Sequence, residues 1–269
     1  MSVLDKIVGF KKKEVEERRS LFPVKLLERS LFFAGQPVSL KKYVTRPDKS
    51  GIIAEIKRKS PSKGMINPYV SIERTSIGYM QAGASALSIL TDKEFFGGSN
   101  EDLSTARKFN FCPILRKEFI IDEYQVVEAK SIGADAILLI AAILEPGPLK
   151  SLANLACSLG METLIEVHDH AELEKAMAAE PALIGVNNRN LKTFEVNLER
   201  SVQLALHIDD RFVKVAESGI ESPDVIVELR KHGYQGFLIG QTFMQHSRPE
   251  EAARSFIREL RRKTGEAHA

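Results

Sequence analysis

The stretch Gly51–Lys63, GIIAEIKRKSPSK, predicts a buried strand and the loop that leaves it. Its first half is apolar and β-branched, and Pro61 and Ser62 bring turn chemistry after it. Glu55 and Lys57 stand two residues apart, so both side chains point to the same face of the strand. Unpaired charges are costly in a buried strand. We interpret the pair as part of a polar site at the strand's carboxyl end; an internal ion pair that fixes the register is the alternative.

After this strand the chain repeats a regular pattern of short apolar runs and helical stretches. Apolar residues in most of the helical stretches are spaced three and four apart. Alternating strands and helices predict parallel pairing, and eight such units predict a single (β/α)8 TIM barrel of the α/β class. A doubly wound sheet is disfavoured because no GxGxxG follows the first strand. The further strands are expected at Ala84–Leu90, Cys112–Leu115, Asp135–Ile140, Thr163–Val167, Leu183–Val186, Phe212–Ala216 and Gly236–Ile239. The helices are expected at Ile72–Ala82, Asn100–Phe109, Glu123–Ile132, Leu149–Leu159, Ala171–Ala179, Leu198–Leu206, Pro223–Lys231 and Glu250–Leu260.

Residues 1–48 are predicted to form a helical extension that packs on the barrel of residues 49–269. Two apolar stripes, one before the run KKKEVEERR and one at residues 26–33, indicate a pair of amphipathic helices. The charged run is expected to be a solvated face. The bulky side chains Phe22, Phe32 and Phe33 are expected to dock the extension on the barrel.

Composition narrows the class of protein. The 269 residues are 43% hydrophobic and 28% charged, with a net charge of only +2, which disfavours a nucleic-acid partner. No apolar run approaches the roughly 18 residues of a spanning helix, and the N-terminus has no signal-peptide pattern, so no membrane partner is expected. Cys112 and Cys157 have no metal-binding spacing and are interpreted as reduced core thiols of a cytoplasmic protein.

Polar residues collect where the predicted strands end. In a TIM barrel the active site lies at the carboxyl ends of the strands. Each group alone has a plain structural explanation, such as a rim ion pair for Arg116 or a turn role for Asn188, but six of eight strands share the feature. The residues are Glu55, Lys57, Ser60, Arg116, Lys117, Glu118, Glu166, Asn187, Asn188, Arg189, Glu217, Ser218, Gly219, Gly240 and Gln241.

The loops after strands seven and eight predict a phosphate site. Ser218-Gly219 and Gly240-Gln241 stand where such barrels hold a phosphate with backbone N–H groups, and glycine allows close approach of the anion. A single Ser-Gly pair is also an ordinary turn. Two pairs after these two strands favour an anionic ligand.

Lys117 and Glu166 are the natural general acid and base. We expect cationic neighbours to lower the pKa of Lys117 and an apolar mouth to raise that of Glu166. His168 and His170 invite a metal interpretation, but no further ligand completes a set, and Asp169 suits the N-cap of the next helix. We therefore predict neither a metal nor an organic cofactor.

Eight segments resemble, in order and spacing, the signature segments of the indole-3-glycerol phosphate synthase family, and the likeness runs from about Gly51 to the end. That family carries a helical extension before its barrel, which helps to cover the substrate. The segments are IIAEIKRKSPSKG, ALSILTDKEFFGGS, PILRKEFIIDEYQ, ADAILLIAAIL, ETLIEVH, IGVNNRNL, VAESGI and FLIGQTFM.

The resemblance implies a carboxy-lyase of tryptophan biosynthesis. It would close the ring of 1-(2-carboxyphenylamino)-1-deoxyribulose 5-phosphate, a small phosphosugar substrate, with loss of carbon dioxide and water. The resemblance makes Lys117 the general acid and Glu166 a base or acid, with Lys57 and Glu55 beside the reacting carbons. It also raises the hypothesis of association with other enzymes of the pathway. The implied substrate contacts are Ser60, Asn187 and Arg189 for polar groups, Phe95, Phe119, Leu90 and Leu138 around the aryl ring, and Ser218, Gly219, Gly240 and Gln241 for the phosphate.

Two positions depart from the family pattern. Asn190 stands where an aspartate is expected, which removes a charge that could orient Arg189, and Gln241 is larger than expected. Both changes predict altered affinity rather than lost chemistry. Another phosphosugar barrel enzyme, such as a phosphoribosylanthranilate isomerase, and a non-catalytic binding barrel are the alternatives.

Overall fold

The computed structural model describes residues 3–190 and 193–265, and its centre is a closed barrel of eight parallel strands. Each strand pairs with its neighbours in chain order, and the last closes on the first through Ile52 opposite Phe237. The predicted TIM barrel is confirmed. The strands are β1 (Ile52–Ile56), β2 (Ala86–Leu90), β3 (Ile114–Lys117), β4 (Ala136–Ile140), β5 (Glu162–Val167), β6 (Leu183–Asn187), β7 (Val213–Glu217) and β8 (Tyr234–Ile239).

Helices precede, surround and follow the barrel at the predicted places. Glycine ends several of them, as at Gly83, whose φ of 98° lies in the left-handed region that glycine adopts without strain. A two-stranded hairpin in the loop after β1, Lys59–Ser60 with Gly64–Met65, was not expected from the sequence. The helices are α1 (Val3–Leu21), α2 (Val24–Leu27), α3 (Leu40–Val44), α4 (Ile72–Ala82), α5 (Asn100–Phe109), α6 (Glu123–Ser131), α7 (Pro146–Ser158), α8 (His170–Ala178), α9 (Glu199–Ala205), α10 (Pro223–Lys231), α11 (Gln241–Met244) and α12 (Pro249–Thr264), with a 3-10 turn at Ala141–Ile143.

The period-2 geometry of the strands divides the core into two layers. In β1, Ile52, Ala54 and Ile56 pack outward against the helices, while Ile53 belongs to the cluster inside the barrel. That inner cluster also includes Leu40 of α3. The inward row of β1 continues from Ile53 to Glu55 at the carboxyl end, which is why a charged residue stands in an otherwise apolar strand.

The N-terminal extension differs from its predicted form. The second predicted helix is only the single turn α2, which begins after Pro23, and Leu31 is 89% exposed. Arg18 forms an ion pair with Glu128, and the Tyr124 hydroxyl donates to the Arg18 and Phe22 carbonyls. Polar contacts therefore hold this region to the barrel, whereas Phe22, which was expected to dock it, is 42% exposed.

The charged run of α1 is not simply a solvated face, and that prediction is wrong for its first residue. Lys11 is 1% exposed, and its Nζ lies 2.7 Å from Asp92 Oδ2 and 3.0 Å from Glu118 Oε1. These carboxylates belong to the loops after β2 and β3. Lys11 thus connects α1 to two loops at the carboxyl end of the barrel.

The cysteines differ from each other in exposure. Both are free thiols, but only Cys112 is buried, and Cys157 is exposed on α7. The interpretation of Cys157 as a core thiol is therefore wrong; it follows the helical period but falls on the solvent side.

A helix that crosses a bilayer must be both long and apolar. Across residues 3–190 and 193–265, no helix is both long enough and apolar enough to span a membrane.

Candidate active site

A cavity of about 180 Å³ opens at the carboxyl ends of the barrel strands. Val3, Leu4 and Ile7 of α1 lie on one side of it. Every residue for which a catalytic or binding role was predicted lines this cavity except Phe95, whereas Arg116, Asn188 and Glu217 of the wider polar set do not line it. The predicted residues that line it are Glu55, Lys57, Ser60, Leu90, Lys117, Phe119, Leu138, Glu166, Asn187, Arg189, Ser218, Gly219, Gly240 and Gln241.

Lys117 at the end of β3 is the centre of a buried charge cluster. Its Nζ donates to Glu217 Oε2 at 2.5 Å and to Glu166 Oε2 at 3.1 Å. The two carboxylates come from β7 and β5, so side chains from three strands converge on one ammonium group. This arrangement can deliver a proton from nitrogen and accept one at oxygen within a single cavity.

The pKa of Lys117 is raised, opposite to the prediction. Burial lowers it, but the negative charges of Glu217, Glu166 and Glu55 together outweigh burial. The basic neighbour of Lys117 in sequence, Arg116, points to the other face of β3, where it pairs with Glu128 at 2.6 Å. Lys117 therefore stands as a protonated acid at neutral pH.

The pKa of Glu166 is lowered, so the expected increase is also wrong. Burial raises it, but the charges of Lys117 and His168 and a hydrogen bond from Asn187 Nδ2 to Oε1, 3.1 Å long, favour the carboxylate more strongly. The ionised form suits Glu166 to accept a proton.

Glu217 was named among the polar residues at the strand ends, but no catalytic role was predicted for it. Its side chain is 2% exposed, and burial, with the charges of Glu166 and Glu55, raises its pKa to about 7 despite the opposing charge of Lys117. A Cβ at Gly185 would lie 2.2 Å from Glu217 Oε1. A glycine inside a buried strand often marks such a close approach, and Gly185 in LIGV was the signal that could have found this site.

Glu55 and Lys57 form both the ion pair and the site wall that were weighed as alternatives. Glu55 Oε1 lies 2.8 Å from Lys57 Nζ, and both side chains line the cavity. A Cβ at Gly240 would lie 2.3 Å from the same carboxylate oxygen. Gly240, which follows β8, thus leaves room for the carboxylate of Glu55 near the carboxyl end of β1.

The apolar wall contains Phe119, Leu90 and Leu138. Phe96 lines the cavity, whereas Phe95 stacks edge-on behind it, with its ring centroid 5.7 Å from Phe10 of α1 and 6.5 Å from Phe119. Phe96 is therefore the residue that lines the wall, whereas Phe95 lies behind the wall and packs against Phe10 of α1.

The two loops expected to hold phosphate lie side by side at the cavity, where the Thr242 hydroxyl donates to the Ile220 carbonyl at 2.8 Å. Ser218 has a φ of 67°, which is uncommon for a side chain of its type, and Gly219 follows at 77°. The side chain of Asn188 donates to the carbonyls of Glu217 and Ser218, both at 3.2 Å. Asn188 thus fixes the turn in which the backbone N–H groups after β7 are presented.

Arg189 has a partner other than the missing aspartate. Its Nη1 donates to the Phe194 carbonyl at 3.0 Å, while Asn190 Oδ1 accepts from the Thr193 amide at 3.2 Å. A backbone carbonyl therefore orients the guanidinium beside the cavity.

His168 and His170 face different surroundings. His168 lies between Glu166 and Glu172, and the ring of His170 packs edge-on against His207. Asp169 accepts from the Glu172 amide and caps α8, as predicted. Within the described ranges no group of three or more His, Cys, Asp or Glu side chains could hold a metal ion.

These features define the class of protein. It is a TIM-barrel protein with a lysine-glutamate cluster beside a cavity that the glycine-containing loops after β7 and β8 border. The sequence matches the family model described as indole-3-glycerol phosphate synthase over residues 4–258, and the chain belongs to this family.

Curated relatives agree with the family model. The chain is 44% identical to the indole-3-glycerol phosphate synthase of Bacteroides thetaiotaomicron over 96% of its length and 98% of that protein. It is 41% identical to the Acinetobacter baylyi synthase, over 93% and 94%, and 46% identical to that of Bordetella pertussis, over 75% and 77%.

Solved structures with low identity share the barrel. The structure described as native KDPGal is 14% identical, has a TM-score of 0.61 and covers 83% of this chain and 98% of its own. A chain of the tryptophan synthase a2b2 complex of Pyrococcus furiosus is 15% identical, with a TM-score of 0.59 and coverage of 79% and 98%. These likenesses concern the fold alone.

Proposed function

We propose that this chain catalyses the indole-3-glycerol phosphate synthase reaction, the ring closure of 1-(2-carboxyphenylamino)-1-deoxyribulose 5-phosphate with loss of carbon dioxide and water. The observation that carries the proposal is the placement of Lys117 Nζ between Glu166 and Glu217 at the cavity floor. Membership of the family supports it. The substrate, a phosphosugar with an aryl carboxylate, matches a cavity with an apolar wall and an anion-binding rim.

Proton transfer is the chemistry that this reaction demands. Lys117 protonates the ketone oxygen as the aryl carbon attacks the carbonyl carbon. The carboxylate then leaves as carbon dioxide, and its bonding electrons restore the aromatic ring. A second proton reaches the hydroxyl oxygen, which departs as water while a base removes a proton from the neighbouring carbon. Each positioned transfer contributes roughly 10²–10⁴-fold to the rate.

The other cavity residues divide the work of binding in this proposal. Glu166 serves as base or acid after ring closure, with Glu55 and Lys57 beside the reacting carbons. Ser60, Asn187 and Arg189 contact polar groups of the substrate. The aryl ring lies against Phe96, Phe119, Leu90 and Leu138, and the loops Ser218-Gly219 and Gly240-Gln241 hold the phosphate.

Residues 1–48 act in this proposal as an extension that covers the substrate, since α1 contributes side chains to the cavity. We also propose that the protein works in the cytoplasm, where its two free thiols would stay reduced.

The experiment is a fluorescence assay of indole formation with purified protein and the carboxyphenylamino-deoxyribulose phosphate. Lys117→Met is expected to reduce kcat by roughly 10²–10⁴-fold, the range for one positioned proton transfer. Lys108→Met, on the exposed face of α5, is the matched control and is expected to retain full activity. A binding-only barrel would give no indole signal in any variant yet would still bind the phosphosugar.

A further inference from the structure

One ionisable group beside the acid-base cluster has no part in the proposed reaction. His168, which directly follows β5, places Nε2 3.5 Å from Glu166 Oε1 and Nδ1 3.1 Å from Glu172 Oε2. Its side chain is 12% exposed and does not line the catalytic cavity. It lines a separate groove on the outside of the barrel, beside Arg200 and His207. The imidazole is therefore the element between a buried carboxylate of the site and the outer surface.

The reaction needs a proton from outside in every turnover. Two protons go to oxygen, one at the ketone and one at the departing hydroxyl, and one is removed from carbon. The substrate enters with an ionised carboxylate and releases neutral carbon dioxide, so one net proton is consumed. After its transfer, Lys117 is a neutral amine that must be recharged.

The open side of the cavity is poorly suited to supply that proton. The substrate would fill it, and the apolar side chains of Val3, Leu4 and Ile7 of α1 lie along it. Glu166 offers another route, because its two oxygens face different groups: Oε2 lies 3.1 Å from Lys117 Nζ, and Oε1 faces His168.

We propose that His168 is a positioning residue that relays a proton from the outer groove through Glu166 to Lys117. This inference rests on the proposed function. The imidazole accepts a proton on the side of Glu172, whose side chain is 18% exposed, and releases one from Nε2 to Glu166 Oε1. The carboxyl group of Glu166 then rotates, and the proton taken up at Oε1 passes to the neutral amine of Lys117, which leaves Glu166 ionised again. Each step moves one proton between neighbouring groups, and the 3.5 Å separation between His168 Nε2 and Glu166 Oε1 must shorten to a hydrogen bond for the transfer, as catalytic contacts do when substrate binds.

The charges around His168 favour its protonated form, from which the relay starts. Burial lowers its pKa, but the hydrogen bond that the ring donates to Glu172 and the charges of Glu166 and Glu172 outweigh burial and the opposing charge of Arg200, so the pKa is raised. Because the pKa is raised, the imidazolium persists to higher pH. The relay fails as the pH rises through the pKa of His168.

The test measures single-turnover rates of indole formation, so that product release cannot mask proton delivery. His168→Ala is expected to slow the rate about tenfold, less than the roughly 10²–10⁴-fold loss of a direct catalytic group, with substrate affinity unchanged. Imidazole in the buffer is expected to restore the rate, because the vacated site opens to the outer groove. The basic limb of the wild-type pH profile is expected to disappear in the variant.

His170→Ala is the matched control, since that side chain lines the same groove, is 54% exposed and faces away from Glu166. It is expected to behave as wild type, with no response to imidazole. His168→Gln, which keeps a hydrogen-bonding side chain without a titratable ring, provides the same comparison if the alanine variant folds poorly.

Two results would overturn the relay and leave the synthase assignment intact. The first is a wild-type rate in both His168 variants. The second is a slower rate that imidazole does not restore, together with a pH profile whose shape is unchanged. An inactive wild-type protein would instead refute the proposed function itself.

Discussion

Replacing Lys11 with methionine should weaken the connection between α1 and the barrel. The ammonium group is 1% exposed and is in contact with Asp92 and Glu118, whose side chains are 0% and 3% exposed. Methionine has a similar reach and no charge, so two carboxylates would stay buried without their cation. Removing one partner from a buried ion pair typically costs about 3–5 kcal/mol.

The lower end of that range applies here, because each carboxylate keeps other donors. Asp92 accepts from the amides of Phe95 and Phe96, and Glu118 accepts from Thr91 and the Phe119 amide. A loss of about 3 kcal/mol in the free energy of unfolding corresponds to a fall in Tm of about 6–12 °C at roughly 2–4 °C per kcal/mol.

Thermal and urea unfolding followed by circular dichroism would measure the effect, together with hydrogen exchange of the α1 amides. Lys12→Met is the matched control, since Lys12 is exposed on the next position of the same helix. It should stay within about 0.5 kcal/mol of wild type, as surface substitutions do. The reasoning fails if Lys11→Met matches Lys12→Met both in its unfolding midpoint and in the exchange of α1.

Two further predictions concern the glutamates of the cavity. Glu217→Gln should remove a pH-dependent contribution to the free energy of unfolding. The Glu217 carboxyl group has a pKa of about 7 in the folded protein and near 4.5 in the unfolded chain. Wild type therefore loses the stability contributed by this protonated group as the pH rises from about 4.5 through about 7. Urea unfolding at about pH 5 and about pH 8 should therefore show a smaller decline in the variant than in wild type, and an equal decline would contradict the assignment. Gly240→Ala would place a methyl group 2.3 Å from Glu55 Oε1 and should cost about 1–3 kcal/mol through overpacking, seen as a higher KM and a lower kcat. Gly147→Ala, whose Cβ would meet nothing within 4 Å, is the control, and equal kinetics in the two variants would show that this contact does not matter.

Local sequence patterns were sufficient for the barrel and for most of its site. Period-2 geometry predicted that Glu55 and Lys57 share a face, and they form an ion pair at the cavity. The rule that active sites lie at the carboxyl ends of strands predicted the meeting of Lys117 with Glu166, although 49 positions separate them. Both inferences need only the geometry of a strand and the direction of a parallel sheet.

The electrostatics could not be predicted in the same way, because charge depends on partners that are distant in sequence. Arg116 is adjacent to Lys117 but points outward, whereas Glu217, 100 positions away, points inward and raises the lysine's pKa. Lys11 was misassigned for the same reason, since its partners belong to loops of the barrel.

Loops have no fixed periodicity, which also limits what can be predicted from the sequence. Phe95 and Phe96 are adjacent in the loop after β2, and the backbone N–H groups of both donate hydrogen bonds to Asp92 Oδ1. Of the two, only Phe96 lines the cavity. No spacing rule separates two such neighbours. The choice between them depends on α1, because Phe10 packs against the ring of Phe95.

The central claim is that this cavity joins ring closure to the loss of the aryl carboxylate. The most direct measurement uses substrate labelled isotopically at that carboxyl group, with enzyme in excess, and follows labelled carbon dioxide and indole-3-glycerol phosphate in one turnover. We predict equal amounts of the two products, and neither from Lys117→Met within the time that wild type needs for one turnover. Substrate that binds and returns unchanged, or that is converted with its labelled carboxylate retained, would contradict the account.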